Sequence, residues 1–186
     1  MTKRSIRSRF LAERKSRPHA LCLAASHEIQ QRFLNSSLFR VAGCLALYSA
    51  IHNEVLTDAV AERAIEAGKS LAYPRTGKDH LEFVRVRARA DLAAGTFSVL
   101  EPRGGELVPV EKLDLVVVPG VVFDLSGHRL GYGRGFYDRA LSECRADCAK
   151  VGFAYDFQLV ETLPAEQHDK RLTALVTESR ILNFTA

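Results

Sequence analysis

Apolar positions change their period several times along the chain, and each change predicts an element. Residues 3–15 place Ile6, Phe10 and Leu11 on one helical side, with arginines elsewhere and Thr2 ahead as a cap. Pro18 suits a first helical turn, after which Leu21, Ala25, Ile29 and Phe33 recur every four residues until Asn35-Ser36-Ser37. Residues 41–49 (VAGCLALYS) read as a buried strand, 57–67 as a helix closed by Gly68, and 70–73 as a short strand ending at Pro74-Arg75. Over 81–89, Val84, Val86 and Ala88 alternate with Arg85, Arg87 and Arg89, which predicts a strand with one wet face. The segment 91–109 is loop-rich, with Gly95, Pro102, Gly104 and Gly105. An unbroken apolar run at 115–118 predicts a strand buried on both faces; Asp124-Leu125-Ser126-Gly127 reads as a turn. From Phe136 a helical spacing through Ala140, Leu141 and Cys144 extends to about residue 147, and strands at 150–154 and 172–177 follow. Strands alternating with helices predict an α/β fold, a mostly parallel central sheet flanked by helices in three layers. No repeat or linker divides it, so residues 1–186 are expected to form a single domain.

Bulk properties narrow the function classes. The 186 residues are 47% hydrophobic and 26% charged, an ordinary globular composition, and no apolar stretch approaches the roughly 20 residues that span a bilayer. No membrane association is expected. A net charge of +4 favours anionic ligands but is too small to argue for nucleic acid. Cys22, Cys44, Cys144 and Cys148 form no C-x-x-C pair, as expected of reduced thiols in a cytoplasmic protein. Lys3, Arg4, Arg7, Arg9, Arg14, Lys15 and Arg17 make the start basic enough for a targeting segment, although an anion-binding role for Lys3 and Arg7 would make it part of the fold.

The chemistry concentrates in 114–138, DLVVVPGVVFDLSGHRLGYGRGFYD. Its loop, Arg129-Leu130-Gly131-Tyr132-Gly133-Arg134-Gly135, has glycines at alternate positions and leads into a helix. Side-chain-free backbone lets amides converge on an anion, and a helix N-terminus adds partial positive charge. Arg129 and Arg134 add permanent charge suited to phosphate oxygens. The loop is neither a Walker A motif nor a dinucleotide fingerprint, so it points to phosphate without naming one. Asp138, one turn into the helix, is either a helix-capping acid or a ligand for Mg2+ bridging those phosphates. In a parallel sheet ligands gather at the carboxyl ends of strands, here 49–54, 119–138 and 154–158, with Gln167-His168-Asp169 a fourth candidate. Lys3 and Arg7, spaced i,i+4, lie on one helical face, which is either a solvated face or an anion contact.

At PGVVFDLSGHRLGYGRGFYD the sequence closely resembles the signature of the 5-formyltetrahydrofolate cyclo-ligase (5,10-methenyltetrahydrofolate synthetase) family. Weaker likenesses follow in the family's order: Lys3-Arg4-Ser5-Ile6-Arg7, the stretch from Ser49 through Glu54 to Thr57, Tyr73-Pro74-Arg75, Glu101-Pro102, Val151-Gly152-Phe153-Ala154-Tyr155-Asp156-Phe157-Gln158, His168-Asp169 and Val176-Thr177-Glu178. Phe136 stands where Tyr is common, and Thr173 where many members carry a second aspartate. The resemblance implies a NagB/RpiA/CoA transferase-like architecture and small-molecule substrates, with ATP as co-substrate and Mg2+ as cofactor. The implied reaction is cyclisation of 5-formyltetrahydrofolate to 5,10-methenyltetrahydrofolate, with ADP and phosphate released through a phosphorylated formyl group. It further implies that Lys3, Arg4, Arg7, Arg129, Leu130, Gly131, Tyr132, Gly133, Arg134, Gly135, Phe136 and Tyr137 meet ATP. Ser49, Glu54, Arg75, Tyr132, Gly133, Arg134, Gly135 and Phe136 are implied to meet the folate, and Asp138 and Asp169 the metal. Arg129, Arg134 and Asp138 carry the implied catalytic roles. A monomer or weak homo-oligomer is expected. The competing reading is a nucleotide- or phosphosugar-binding α/β domain without ligase activity.

Overall fold

The computed structural model describes residues 2–95, 99–166 and 168–184. Three helices open the chain: α1 (Lys3–Ser16), α2 (His19–Leu34) and α3 (Ser37–Val41). They are followed by β1 (Cys44–Ala46), α4 (Asp58–Glu66), β2 (Ser70–Thr76), β3 (Leu81–Arg85), and the small pair β4 (Leu92–Ala94) and β5 (Leu100–Pro102). The second half holds β6 (Leu115–Val118), β7 (Val122–Asp124), β8 (Arg129–Leu130), α5 (Phe136–Glu143), β9 (Ala149–Phe153), β10 (Leu159–Val160), β11 (Ala174–Val176) and β12 (Ile181–Asn183). The main sheet runs β12-β11-β9-β6-β1-β2-β3. Its inner strands β11, β9, β6, β1 and β2 are parallel, while β12 and β3 close the two edges antiparallel. Residues 115–118 are buried throughout, as their unbroken apolar run requires of a central strand.

Helices cover both faces of the sheet. Ile29 and Phe33 of α2 and Val60 and Ala64 of α4 pack with Leu45, Val117 and Phe153 on one side. On the other, Ala140 and Leu141 of α5 pack with Val116, Val118 and Phe123. A smaller cluster seats Phe10 of α1 against Val122, Leu130 and Leu163. Among the described residues no helix is long and apolar enough to cross a membrane.

Several elements depart from the sequence pattern, each for a local reason. The break at 35–37 starts a helix, because the Ser36 hydroxyl accepts the Phe39 amide as its cap, and the first strand therefore begins at Cys44. The buried stripe of α2 is Cys22, Ser26, Ile29, Gln30 and Phe33, leaving Leu21 exposed. Its polar members have partners: the Gln30 Oε1 accepts the Ala59 and Val60 amides at the start of α4, whose own Thr57 makes no side-chain cap bond. Strand β2 passes through Pro74 because beyond Ala72 it pairs with β3 only and is locally an edge. Strand β3 stops at Arg85, since the Asp91 carboxylate takes the Arg87 and Ala88 amides and turns the chain away. Helix α5 ends at Glu143, with Cys144 extended.

A hairpin of β7 and β8, extended by β10, forms a second small sheet that carries the glycine loop. Its anchor is Asp124, which is buried. One carboxylate oxygen accepts the Ser126 and His128 amides at 2.9 Å, and the other accepts the Leu163 amide at 3.0 Å. Asp124→Ala would strand these donors and is expected to cost about 2–3 kcal/mol. For a chain of this size that corresponds to a fall of roughly 5–10 °C in Tm, measurable by calorimetry. An unchanged Tm would show that the hairpin holds itself.

Candidate active site

Strand β8 delivers the chain into the glycine loop, and Gly135, left-handed with φ 67°, turns it into α5. The first turn of α5 therefore faces a cleft of about 580 Å3, a volume suited to a small ligand. Leu130, Gly131, Tyr132, Gly133, Arg134, Gly135, Phe136 and Tyr137 all line it, as do Arg129 and Asp138. From α1 come Lys3 and Arg7; from the loop after β1 come Ser49 and Glu54. Asp169 completes the cationic and acidic end. Of the segments that topology placed at strand ends, 49–54 and 119–138 thus meet around one cavity with His168 and Asp169, whereas 154–158 do not line it.

Arg4 and Arg75 stay out of it. Arg4 is the neighbour of Lys3, about 100° around α1, and points to solvent. Arg75 lies on the face of β2 opposite Pro74 and Thr76, both of which line the cleft. Its guanidinium bonds Glu82 across the β2–β3 pair at 2.8 and 3.0 Å. Gln167 lies outside the described residues, and His168 lines the cleft beside Asp169.

At the glycine-loop end the charges compensate one another. Arg129, largely buried, donates to the Lys170 carbonyl at 2.9 Å and lies 3.2 Å from the Asp138 Oδ1, which also accepts the Lys170 amide. The Lys3 ammonium lies 2.7 Å from Asp169 and 3.0 Å from Glu166. Burial alone would lower the Lys3 pKa, but its bonds to Asp169 and Glu166 outweigh that and raise it. For Asp169, burial alone would raise the carboxyl; the Lys3 contact and the Glu166 amide hold it below the ordinary value. Arg7 donates to the Gly131 carbonyl at 2.6 Å and so rests against the loop itself.

Among the described residues no group of three His, Cys, Asp or Glu side chains forms a metal cage. Mg2+ does not require one: it takes one or two carboxylates together with phosphate oxygens and water. Asp138 and Asp169, hard oxygen donors beside the glycine loop, suit that role.

The other end is built around Glu54. Tyr48 donates to the Val55 carbonyl and Thr57 to the Tyr48 carbonyl, fixing the segment between them. His52 and Asn53 both have positive φ, 50° and 59°, an uncommon backbone that marks this turn as tightly determined. Glu54 is buried, and burial pushes its carboxyl pKa up; Arg14, the Ile51 amide and the Tyr132 hydroxyl only partly oppose this. Tyr132 donates to the Glu54 Oε1 at 2.9 Å. Burial, followed by the Glu54 charge, keeps the Tyr132 phenol protonated well above its usual range. Ser49 donates to the Leu100 carbonyl and ties this wall to β5.

Two contributors were given no site role by the sequence. Glu101, part of the Glu101-Pro102 likeness, lines the cleft and accepts both the amide and the hydroxyl of Thr76. Arg14 is buried behind Glu54 and Tyr132. A signal for Arg14 was present: Lys3, Arg7, Phe10 and Arg14 follow i, i+4, i+7, i+11 and share one helical stripe with the buried phenylalanine. A cation on a core-facing stripe is a specific oddity, whereas a merely basic helix is common.

Known proteins resemble this chain in sequence and in fold. Residues 1–178 match the model of the 5-formyltetrahydrofolate cyclo-ligase family. The 5-formyltetrahydrofolate cyclo-ligase of Escherichia coli K12 is 33% identical over 147 residues, covering 76% of this chain and 81% of that protein. The Mus musculus protein of that name is 25% identical over 195 residues, covering 96% of each. The solved structure of Aquifex aeolicus 5,10-methenyltetrahydrofolate synthetase superposes with a TM-score of 0.90 at 33% identity, covering 100% of this chain and 94% of that one. With its glycine loop, its cations and Glu54 gathered on one cleft, the chain belongs to the 5-formyltetrahydrofolate cyclo-ligase family.

Proposed function

We propose that this chain converts 5-formyltetrahydrofolate to 5,10-methenyltetrahydrofolate, consuming ATP in the presence of Mg2+ and releasing ADP and phosphate. The observation that carries the reading is the union, in one cleft, of a phosphate-type glycine loop and the buried Glu54 wall. The uncatalysed difficulty is that an N-formyl carbon is a poor electrophile and its oxygen a poor leaving group. Transfer of the γ-phosphoryl to the formyl oxygen, with ADP departing, gives an imidate phosphate. N10 then attacks the formyl carbon and loses its proton, and the carbon–oxygen bond breaks as phosphate leaves.

The first step needs positioning and charge neutralisation more than a protein nucleophile. Amides of 131–135 and the start of α5 face the phosphates, with Arg134, Arg129, Lys3 and Arg7 as the cations. Mg2+, held by Asp138 and Asp169, would neutralise charge on the phosphate oxygens. Phosphate oxygens would replace Asp169 and Asp138 as partners of Lys3 and Arg129, which frees those carboxylates. Glu54 and Ser49 orient the folate.

The test is a spectrophotometric assay. Protein, Mg-ATP and 5-formyltetrahydrofolate should together produce the near-ultraviolet band of the methenyl product, and omission of any one should abolish it. Glu54→Gln should lose folate turnover about 10²-fold while ATP affinity by calorimetry stays within about twofold. ATP binding with no methenyl band from the wild type would leave a nucleotide-binding domain without ligase activity.

A further inference from the structure

Arg14 belongs to no motif, yet its side chain is only 1% exposed. Burying a guanidinium is costly unless its donors are satisfied. Here Nε donates to the His52 carbonyl at 3.1 Å, one terminal nitrogen to the Gly120 carbonyl at 3.2 Å, and the other to the Tyr132 hydroxyl at 2.6 Å. The last nitrogen also lies 3.8 Å from the Glu54 Oε1. In return, the Asn53 side chain donates to the Arg14 carbonyl. One residue of α1 thus holds the loop that carries Glu54, the end of β6, and the glycine loop.

A buried ion pair is weak grounds for stability, since apolar residues commonly serve as well. Convergence on both walls of the cleft gives Arg14 a different purpose. Tyr132 sits between two glycines of the loop, and its hydroxyl accepts from Arg14 while donating to Glu54. The groups facing Glu54 are Arg14 from α1, the Ile51 amide from its own loop and Tyr132 from the glycine loop, with the phenols of Tyr48 and Tyr137 close enough to sense its charge. Burial works against the Glu54 anion, and Arg14 is the largest influence in its favour.

We propose that Arg14 is a positioning residue that holds the Glu54 carboxylate, as an anion, against Tyr132 of the glycine loop, so that the two walls of the cleft are set as one unit. This rests on the reading that Glu54 meets the folate. The sign follows from the charges: without Arg14 the Glu54 anion forms only at higher pH, so activity that needs the anion fails first on the acid side.

The experiment measures kcat/KM for 5-formyltetrahydrofolate against pH at saturating Mg-ATP. In Arg14→Gln the acid limb should move up by about one pH unit, giving about a tenfold loss on the wild-type acid limb that shrinks to less than about threefold on the alkaline plateau. Arg14→Lys, which keeps the charge, should leave the limb at the wild-type position. Tyr132→Phe should shift it in the same direction by less. A loss equal at every pH in Arg14→Gln and Tyr132→Phe would overturn the proposal and leave Arg14 a packing residue. Should Arg14→Gln fail to fold, Tyr132→Phe decides alone, since Tyr132 is substantially exposed. The infrared carboxylate band of Glu54, identified by difference against Glu54→Gln, should titrate at higher pH in both variants and at unchanged pH if the idea is wrong. This band needs no turnover, so an inactive wild type would sink the proposed reaction and still leave Arg14 tested.

Discussion

Asp138→Asn is expected to lower methenyl product formation by about 10³-fold at saturating ATP and folate, because removal of one electrostatic group at a site of developing charge costs about 10²–10³. Asparagine keeps the volume and an oxygen that can still accept the Lys170 amide and face Arg129, so the local hydrogen bonds survive. It removes the charge. Two consequences separate here. The buried Arg129 loses its counter-charge, which lowers stability and is read as a fall in Tm of a few degrees. The carboxylate that would hold Mg2+ against the phosphate oxygens is lost as well, and this falls on kcat. Raising Mg2+ should restore part of the turnover without restoring Tm. A loss of turnover that merely follows the loss of folded protein would reduce Asp138 to a structural partner of Arg129.

The fold was legible where periodicity was strong and uninterrupted. The run at 115–118 gave a central strand because burial on both faces demands apolar residues at every position. The cap at Thr2 was legible too, and its hydroxyl accepts the Ser5 amide. Elements governed by distant partners were not legible. The end of β3 depends on the Asp91 carboxylate, and passage through Pro74 on the absence of a β1 partner beyond Ala72; the bounds of α4 were legible, but not that Gln30 of α2 meets its first amides. The β7–β8 hairpin is too short for a strand signal and owes its shape to Asp124 reaching Leu163.

For the site, the legible part was the part carried by a contiguous stretch. The glycine loop, Asp138, Lys3 and Arg7 stand where the sequence put them. Arg75 did not, because strand alternation sends it to the other face of β2, a parity that Tyr73-Pro74-Arg75 alone does not declare. Arg4 failed for the helical version of the same reason. Arg14 was hidden by company: among seven cations near the start of the chain, it shares the Phe10 stripe with Lys3 and Arg7, and only its burial in the structure sets it apart from them.

The glycine loop offers the sharpest separation of ligand from fold. Gly133 has φ 95°, and an added Cβ would sit 3.4 Å from the Arg7 guanidinium, so any side chain there disturbs the empty protein as well as the bound one. Gly131 differs. Its backbone is not left-handed, and nothing lies within 4 Å of where a Cβ would be. The fold alone gives it no reason to be glycine. A phosphate resting on the loop amides would give one, since a side chain there would fill the approach. Gly131→Val should therefore reduce ATP-dependent turnover by about 10²–10³-fold, the scale of losing a preorganised oxyanion contact, chiefly as weakened ATP binding. Its Tm should stay within about 2 °C of wild type, as for a surface change of under ~0.5 kcal/mol. Gly133→Val should lose turnover to a similar degree and also lower Tm, because a branched residue at positive φ costs about 1–3 kcal/mol. Calorimetric ATP titration and thermal unfolding of the two variants, side by side, read both quantities. If Gly131→Val binds ATP as tightly as wild type, the phosphates do not rest on this loop, and the cations of α1 must hold the nucleotide some other way.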